Sequence, residues 1–494
     1  MSAYNKVNSV WCSENQYLLD EVLKKEWGFE GIVVSDYNAV HDPVKALATG
    51  LDYQLPPKDG DEEKIKAAFD NGEITMEQLD DAVRRILQFV LKPQLKNENY
   101  SRNNQHKIAR EVARESIVLL KNDNEILPLT TKKYKNIAII GEYGKNALIR
   151  GQGSSEVYPA DEFIDSPIEE LKKLLPECNI TYRQMYKRSE LLETMIWPDV
   201  YKPEFGEFID EADIVLVFGG TMTGEDTEMY DRRTLELNPN IERIAEAVVS
   251  HGKKMVFVLQ SAGPVILNRL KDAADAIVQM GFGGEAAGGA VADVLCGVVN
   301  PSGKLSETYP TKLRTDIDYP GNGYYVTYNE KLDVGYRYYD KHPEQICYPF
   351  GYGLSYTKFS YSQINVKKTD NGFGVSFKIK NTGEYDGAEV VGLYISDTVS
   401  TVPKPIKELK RFKKVFLESG EEKEIFFELL AEDFSYYNIM LHKWVAENGK
   451  YLIMIGSSSQ DIRLEKEIDY NEKMPYSTKQ LSDAGVGDTS VCFG

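Results

Sequence analysis

The chain has 494 residues, 42% hydrophobic and 27% charged, an ordinary globular composition that excludes a fibrous or largely disordered protein. Lys and Arg number 58 against 77 Asp and Glu, a formal net charge of −19, which argues against nucleic acid or an anionic membrane as the main partner, because both demand positive surface. Length predicts roughly three domains, and no apolar run approaches the ~18 residues of a membrane-spanning helix.

In chain order, residues 1–92 read as alternating strand and helix. Ser13-x-x-Gln16 has the spacing of a capping box and opens a helix carrying Leu18, Leu19, Val22 and Leu23 on one face. Residues 31–36, GIVVSD, contain the continuous apolar run Ile32-Val33-Val34, expected of a parallel strand buried on both faces. A helix over HDPVKALAT follows, stopped by Gly50, and then a short strand LDYQLP. Two further helices are predicted over 61–70 and 75–91, the second opened by Thr75-x-x-Gln78. This is a barrel-like β/α rhythm, but a closed eight-stranded barrel takes about 250 residues. Residues 93–104 are polar and read as a linker.

Residues 105–121 read as an amphipathic helix. Strands NIAIIG (136–141), DIVLVFGG (213–220), KMVFVLQ (254–260) and AIVQMGF (276–282) alternate with helices near 167–175, 240–251 and 285–296. That order implies a second, doubly wound α/β domain over 105–320, followed by a connecting segment, 321–354. From residue 355 the period changes to 2, in short strands such as GVSFKIKNTG, AEVVGLYISD and EKEIFFELL. This predicts a β-sandwich over 355–470; with no Cys…Trp…Cys spacing, a fibronectin-like variant is preferred to an antibody-like one. Residues 471–494 read as a polar tail.

Three places could carry chemistry. Asp36 ends an apolar strand in a β/α unit, the edge where barrels place catalytic groups; it could equally be the N-cap of the next helix. Residues 219–239 pack Glu225, Asp226, Glu228 and Asp231 beside Arg232 and Arg233. Such carboxylates beyond an α/β strand could hold a ligand, or form a solvated, internally paired loop. GFGGEAAGG (281–289) lacks GxGxxG spacing and reads as close helix–strand packing. Cys12, Cys178, Cys296, Cys347 and Cys492 include no CxxC pair, and the five histidines lack metal-ligand spacing. The cysteines fit a reducing compartment, and with no signal peptide in MSAYNKVNSVW a cytoplasmic location is expected.

The motifs KKEWGFEGIVVSDYNAV, KALATGLDYQLP, EVARESIVLLKNDNEILPL, GQGSSEVYP, EMYDRRTLELNP, ADVLCGVVNPSGKLSETYP, VGYRYYD and YPFGYGLSYTKF, with NTGEYDGAEVVGLYI after them, resemble those of glycoside hydrolase family 3, the β-glucosidases and their relatives, in the family's order. The resemblance implies an α/β and β multidomain chain: the C-terminal portion of a TIM (β/α)8 barrel over 1–92, an α/β sandwich domain, and a fibronectin type III-like domain. It implies a retaining glycosidase acting on terminal β-linked sugars with no metal or organic cofactor. Asp36, the Asp of VVSD, would be the nucleophile. The acid/base motif maps onto Glu228-Met229-Tyr230-Asp231-Arg232, where Met replaces the family's Gly; Glu228 is favoured and Glu225 is the alternative. Tyr4 would orient the nucleophile, and Asp231 and Arg232 would contact substrate.

The family's earlier barrel strands, with their sugar-binding Asp, Arg and Lys-His motifs, have no counterpart here. The resemblance therefore implies a truncated, split or fragmentary sequence, inactive by itself and completed by a homo-oligomeric or complementing chain. A non-catalytic remnant that binds carbohydrate, or a β-xylosidase, are the competing expectations.

Overall fold

The computed structural model describes residues 1–92, 101–185, 203–222, 224–228, 231–318 and 324–471. The described residues divide into two compact units, 1–92 and 101–471. The predicted tail, 471–494, lies outside the described residues apart from Asn471.

In the first unit, three short extended segments lie parallel. Ser2 bridges Ser35, and Val34 bridges Tyr53. Ser2 N donates to Val34 O (2.8 Å), Asp36 N to Ser2 O (3.1 Å) and Ser35 N to Tyr53 O (2.9 Å). The predicted helices are present as Tyr17–Glu26, Pro43–Ala48, Asp61–Asp70 and Met76–Val90. Thr75 and Gln78 close the expected capping box. The box at Ser13 does not form: Ser13 is buried against the Ser2 hydroxyl (2.9 Å), and Asn15 Oδ1 accepts from Leu18 N instead. A buried charge organises the unit. Asp52 accepts from Val33 N (2.8 Å) and pairs with Lys24 (3.1 Å) and Arg85 (3.4 Å). Burial pulls the Lys24 ammonium down from its usual range.

The second unit begins slightly earlier than expected. Ser101 N-caps a helix Arg102–Ser116, so residues 101–104 go with that helix; 93–100 lie outside the described residues. The reading of 105–121 as helix is corrected at its end. Val118–Asn122 is a strand (β1), because an apolar run buried on both faces suits the sheet, where it pairs antiparallel with Ala276–Gln279 (β6). The remaining strands are Asn136–Ile140 (β2), Asn179–Arg183 (β3), Ile214–Gly220 (β4) and Lys254–Gln260 (β5). The sheet order is β1-β6-β5-β4-β2-β3, and every pair except β1·β6 is parallel. Alternate residues of one strand enter opposite cores: Ile137, Ile139, Leu216 and Phe218 one, Ala138, Ile140, Val215 and Val217 the other. Three of the covering helices, Pro167–Leu174, Pro203–Asp210 and Pro239–Ser250, start on a proline, whose fixed φ suits the first helical position.

The chain leaves β2 for β3 on one side and returns to β4 on the other, so the fold reverses direction between β2 and β4. In open α/β sheets, ligands bind outside the carboxyl ends of the strands at such a reversal.

The sandwich pairs Phe359–Thr369 (β7), Gly372–Asn381 (β8) and Glu422–Leu430 (β11) in one sheet. Glu408–Leu417 (β10), Gly387–Asp397 (β9), Gly449–Gly456 (β12) and Ile462–Tyr470 (β13) form the other, in order β10-β9-β12-β13. Val375, Phe377, Ile379, Val391, Leu393, Ile453 and Ile455 fill the space between them, the alternation that period 2 requires. Among the described residues, no helix is long and apolar enough to cross a membrane.

Candidate active site

In the first unit, Asp36 follows the buried residues Val33 and Ser35. Its Oδ1 accepts from Tyr37 N (2.7 Å), and no helix starts on it. The next helix, Pro43–Ala48, is capped by Asp42, whose side chain accepts from Val44 N and Lys45 N. The turn after Asp36 is pinned from outside: Asn38 N donates to Leu55 O (2.7 Å), and Glu14 Oε1 accepts from His41 N (3.0 Å) and Asp42 N (2.8 Å). Sequence reasoning missed Glu14, 27 residues from its first partner and without a motif. Tyr4 is 52% exposed.

In the second unit, a cavity of about 890 Å³ opens at the carboxyl ends of β2, β4, β5 and β6. Its walls include Gly151 and Ser154 after β2, Glu225, Glu228, Asp231 and Arg232 after β4, and Phe282 and Glu285 after β6. It lies at the β2/β4 reversal, and it gathers every candidate the sequence placed in 219–239 except Arg233. Met229 and Tyr230 lie outside the described residues.

The carboxylates are held differently. Glu225 folds back on its own loop, accepting from Met222 N (2.5 Å). Asp226 accepts from the Thr221 hydroxyl and faces Arg232 Nε (3.8 Å). Arg232 also donates to Pro264 O (2.9 Å), so the expected internal pairing of this loop exists, through Asp226. Glu228 is exposed and reaches across to another loop: its Oε2 accepts from Ser154 N (2.8 Å) and from the Ser154 hydroxyl.

The two loops run alongside each other. Gln152 bridges Thr227, and Gln152 N donates to Asp226 O (3.1 Å). Glycines permit this approach. A Cβ on Gly151 would stand 2.9 Å from Asp226 O, and one on Gly153 2.7 Å from Glu228 Cβ, where φ is also +80°. On the far wall, Glu285 pairs with Arg102 and with His106 Nδ1 (3.2 Å). Behind it, burial pushes the Asp165 carboxyl up, and Arg110 holds Asp293 through two hydrogen bonds of 2.6 and 2.9 Å. GFGGEAAGG packs closely, but against a loop and not the expected strand: a Cβ on Gly288 would lie 2.2 Å from Asp165 O, just before the helix Pro167–Leu174. Among the described residues, no cluster of His, Cys, Asp and Glu is arranged to hold a metal ion.

Comparison with known proteins bears on the whole length. Residues 1–89 match the glycosyl hydrolase family 3 N-terminal domain, 117–356 its C-terminal domain, and 389–459 a fibronectin type III-like domain. β-Glucosidase BoGH3A of Bacteroides ovatus is 33% identical over 95% of this chain and 68% of its own. The chain belongs to glycoside hydrolase family 3. It is also 41% identical to thermostable β-glucosidase B of Acetivibrio thermocellus, over 99% of this chain and 65% of that protein. The exo-α-(1→6)-L-arabinopyranosidase of Bifidobacterium breve is 35% identical over 94% of this chain and 62% of that one. The chain thus spans under two thirds of the length of these last two relatives. Among solved structures, the family 3 β-glucosidase of Bifidobacterium adolescentis superposes with a TM-score of 0.88 at 34% identity, over 98% of this chain and 72% of that one.

Proposed function

We propose that this family 3 chain supplies the catalytic carboxylates of a retaining β-glycosidase, with terminal β-glucosides as its substrate class. The observation that carries the reading is the carboxylate-lined cavity at the β2/β4 reversal, with Glu228 fixed by a neighbouring loop, in a chain whose relatives include β-glucosidases. Asp36 attacks the anomeric carbon as the bond to the leaving oxygen breaks, and Glu228 gives that oxygen its proton. A glycosyl ester on Asp36 results. Glu228, now ionised, takes a proton from water, which attacks the same carbon and releases Asp36. Tyr4 orients Asp36, and Asp231 and Arg232 contact substrate. Glu225 is the alternative acid/base.

We further propose that additional β/α strands, from a second polypeptide or a second copy, complete the first unit. The helix Met76–Val90 leaves Val83, Leu87 and Val90 44%, 50% and 63% exposed, and the parallel segments are joined by isolated bridges, whereas barrels close their edges.

The test is hydrolysis of an aryl β-glucoside by the chain alone, and by the chain co-expressed with the part of the Acetivibrio thermocellus relative that it does not cover. Turnover is expected in the second preparation and its loss on Asp36→Ala. No turnover in either would favour the carbohydrate-binding reading. An arabinopyranoside run beside the glucoside tests the second sugar, favoured by the Bifidobacterium breve relative.

A further inference from the structure

We propose that Ser154 is a positioning residue for the Glu228 carboxyl, selecting which of its two oxygens exchanges the proton with the leaving group and with water. The inference rests on Glu228 being the acid/base.

Both Ser154 donors converge on one atom, Glu228 Oε2: the backbone N–H at 2.8 Å and the side-chain hydroxyl. A backbone N–H can only donate, so Oε2 must accept. An oxygen that carries the proton is a poor acceptor. The neutral carboxyl therefore carries its proton on Oε1, and it is Oε1 that protonates the leaving oxygen and later takes the proton of water. Two donors on one oxygen also fix rotation of the carboxyl plane, which is otherwise loosely held in glutamate.

The geometry around Ser154 serves this contact. Its loop is seated on the Glu228 loop by the Gln152–Thr227 bridge and the Gln152 N to Asp226 O bond. Glu156 N closes the turn on Gly153 O (3.0 Å). Gly151 and Gly153 allow the backbones to approach closely enough for a short side chain at 154 to reach the carboxyl. Alanine at 154 keeps the N–H and loses the hydroxyl; threonine keeps both.

The experiment reads the carboxyl directly in the full chain, with or without turnover. Wild type, Ser154→Ala and Ser154→Thr are treated with a water-soluble carbodiimide and glycine ethyl ester, and modification of Glu228 and of Glu225 is followed by peptide mass spectrometry. Losing a hydrogen bond to a charged group should speed Glu228 modification roughly tenfold or more in Ser154→Ala. Ser154→Thr should stay near wild type, and Glu225 should not change in either. Unchanged Glu228 modification in Ser154→Ala overturns the proposal. An equal rise at Glu225 overturns it too, because the loop would then have merely loosened.

A second arm uses whichever preparation hydrolyses aryl β-glucosides. Ser154→Ala should slow the phenyl glucoside roughly tenfold more than the dinitrophenyl glucoside, which needs little protonation, with Ser154→Thr restoring it; equal slowing of both overturns the positioning role. If Glu228→Gln itself shows no leaving-group dependence while the labelling behaves as expected, the acid/base assignment fails and the contact to Ser154 stands.

Discussion

Glu225 and Glu228 line the same cavity, but they are held by different partners, and their substitution should separate them. Glu228→Gln is expected to slow poor leaving groups by about 10²-fold or more, within the range for general acid catalysis, and azide should partly restore the second step. Glu225→Gln should slow both classes alike, since its contact is to Met222 N of its own loop. Kinetics with phenyl and dinitrophenyl glucosides checks this; the reverse pattern makes Glu225 the acid/base. Gly153→Ala should resemble Glu228→Gln, because the added methyl meets Glu228 Cβ at 2.7 Å in a left-handed backbone. At this scale the sequence was partly legible. Asp36 stood out by its place after an apolar strand, and the helix-cap alternative is taken by Asp42. Glu228 could be singled out from Glu225 only by resemblance. Ser154 and Glu14 were not legible, since their bonds span 74 and 27 residues, and local spacing carries no signal for such contacts.

Elements were legible where one period dominated. The fully buried β4 and the alternating sandwich strands were read close to their bounds. Asn179–Arg183, a half-exposed edge strand with polar residues, was missed, because neither a continuous run nor clean alternation marks it. Val118–Asn122 was absorbed into the preceding helix, because an apolar run satisfies both periods. Two side chains that tie elements together give predictions. Asp52→Ala strips Lys24, whose side chain is only 6% exposed, of its carboxylate partner. Breaking such a buried pair costs about 3–5 kcal/mol, and hydrogen exchange at the Val33 and Ser35 amides should accelerate. Asp213 accepts from Asn136 N and Lys135 N, bonds that hold its carboxyl below its usual range. Its folded pKa is thus below its unfolded one, so its contribution is present above the unfolded value of about 4 and is lost as pH falls further. The stability gap between wild type and Asp213→Asn should be open at pH 7 and narrow below about pH 4 in thermal melts.

At the scale of the whole chain, the two units differ in how much apolar side chain they bury. The core cluster of the first unit consists of Leu19, Val33, Val40, Ala46 and Leu51. The second unit holds two extended cores on the faces of its α/β sheet and a third within the sandwich. Local opening follows buried contact density. Limited proteolysis of the purified chain should therefore cut within 1–92 first and leave a resistant product beginning near residue 101; a resistant product containing residues 1–92 would contradict this. The sandwich was legible by its change to period 2, whereas the first two parts share a strand–helix alternation and were told apart by the polar stretch between them.

We propose Asp36 as the nucleophile of a retaining glycosidase. The most direct test is inactivation by an aryl 2-deoxy-2-fluoro-β-glucoside, followed by peptide mapping, on the chain co-expressed with the uncovered part of the Acetivibrio thermocellus relative. A fluoro-sugar ester on Asp36, absent from Asp36→Ala, is the expected result. A label on any other residue, or undiminished hydrolysis by Asp36→Ala, would contradict the account.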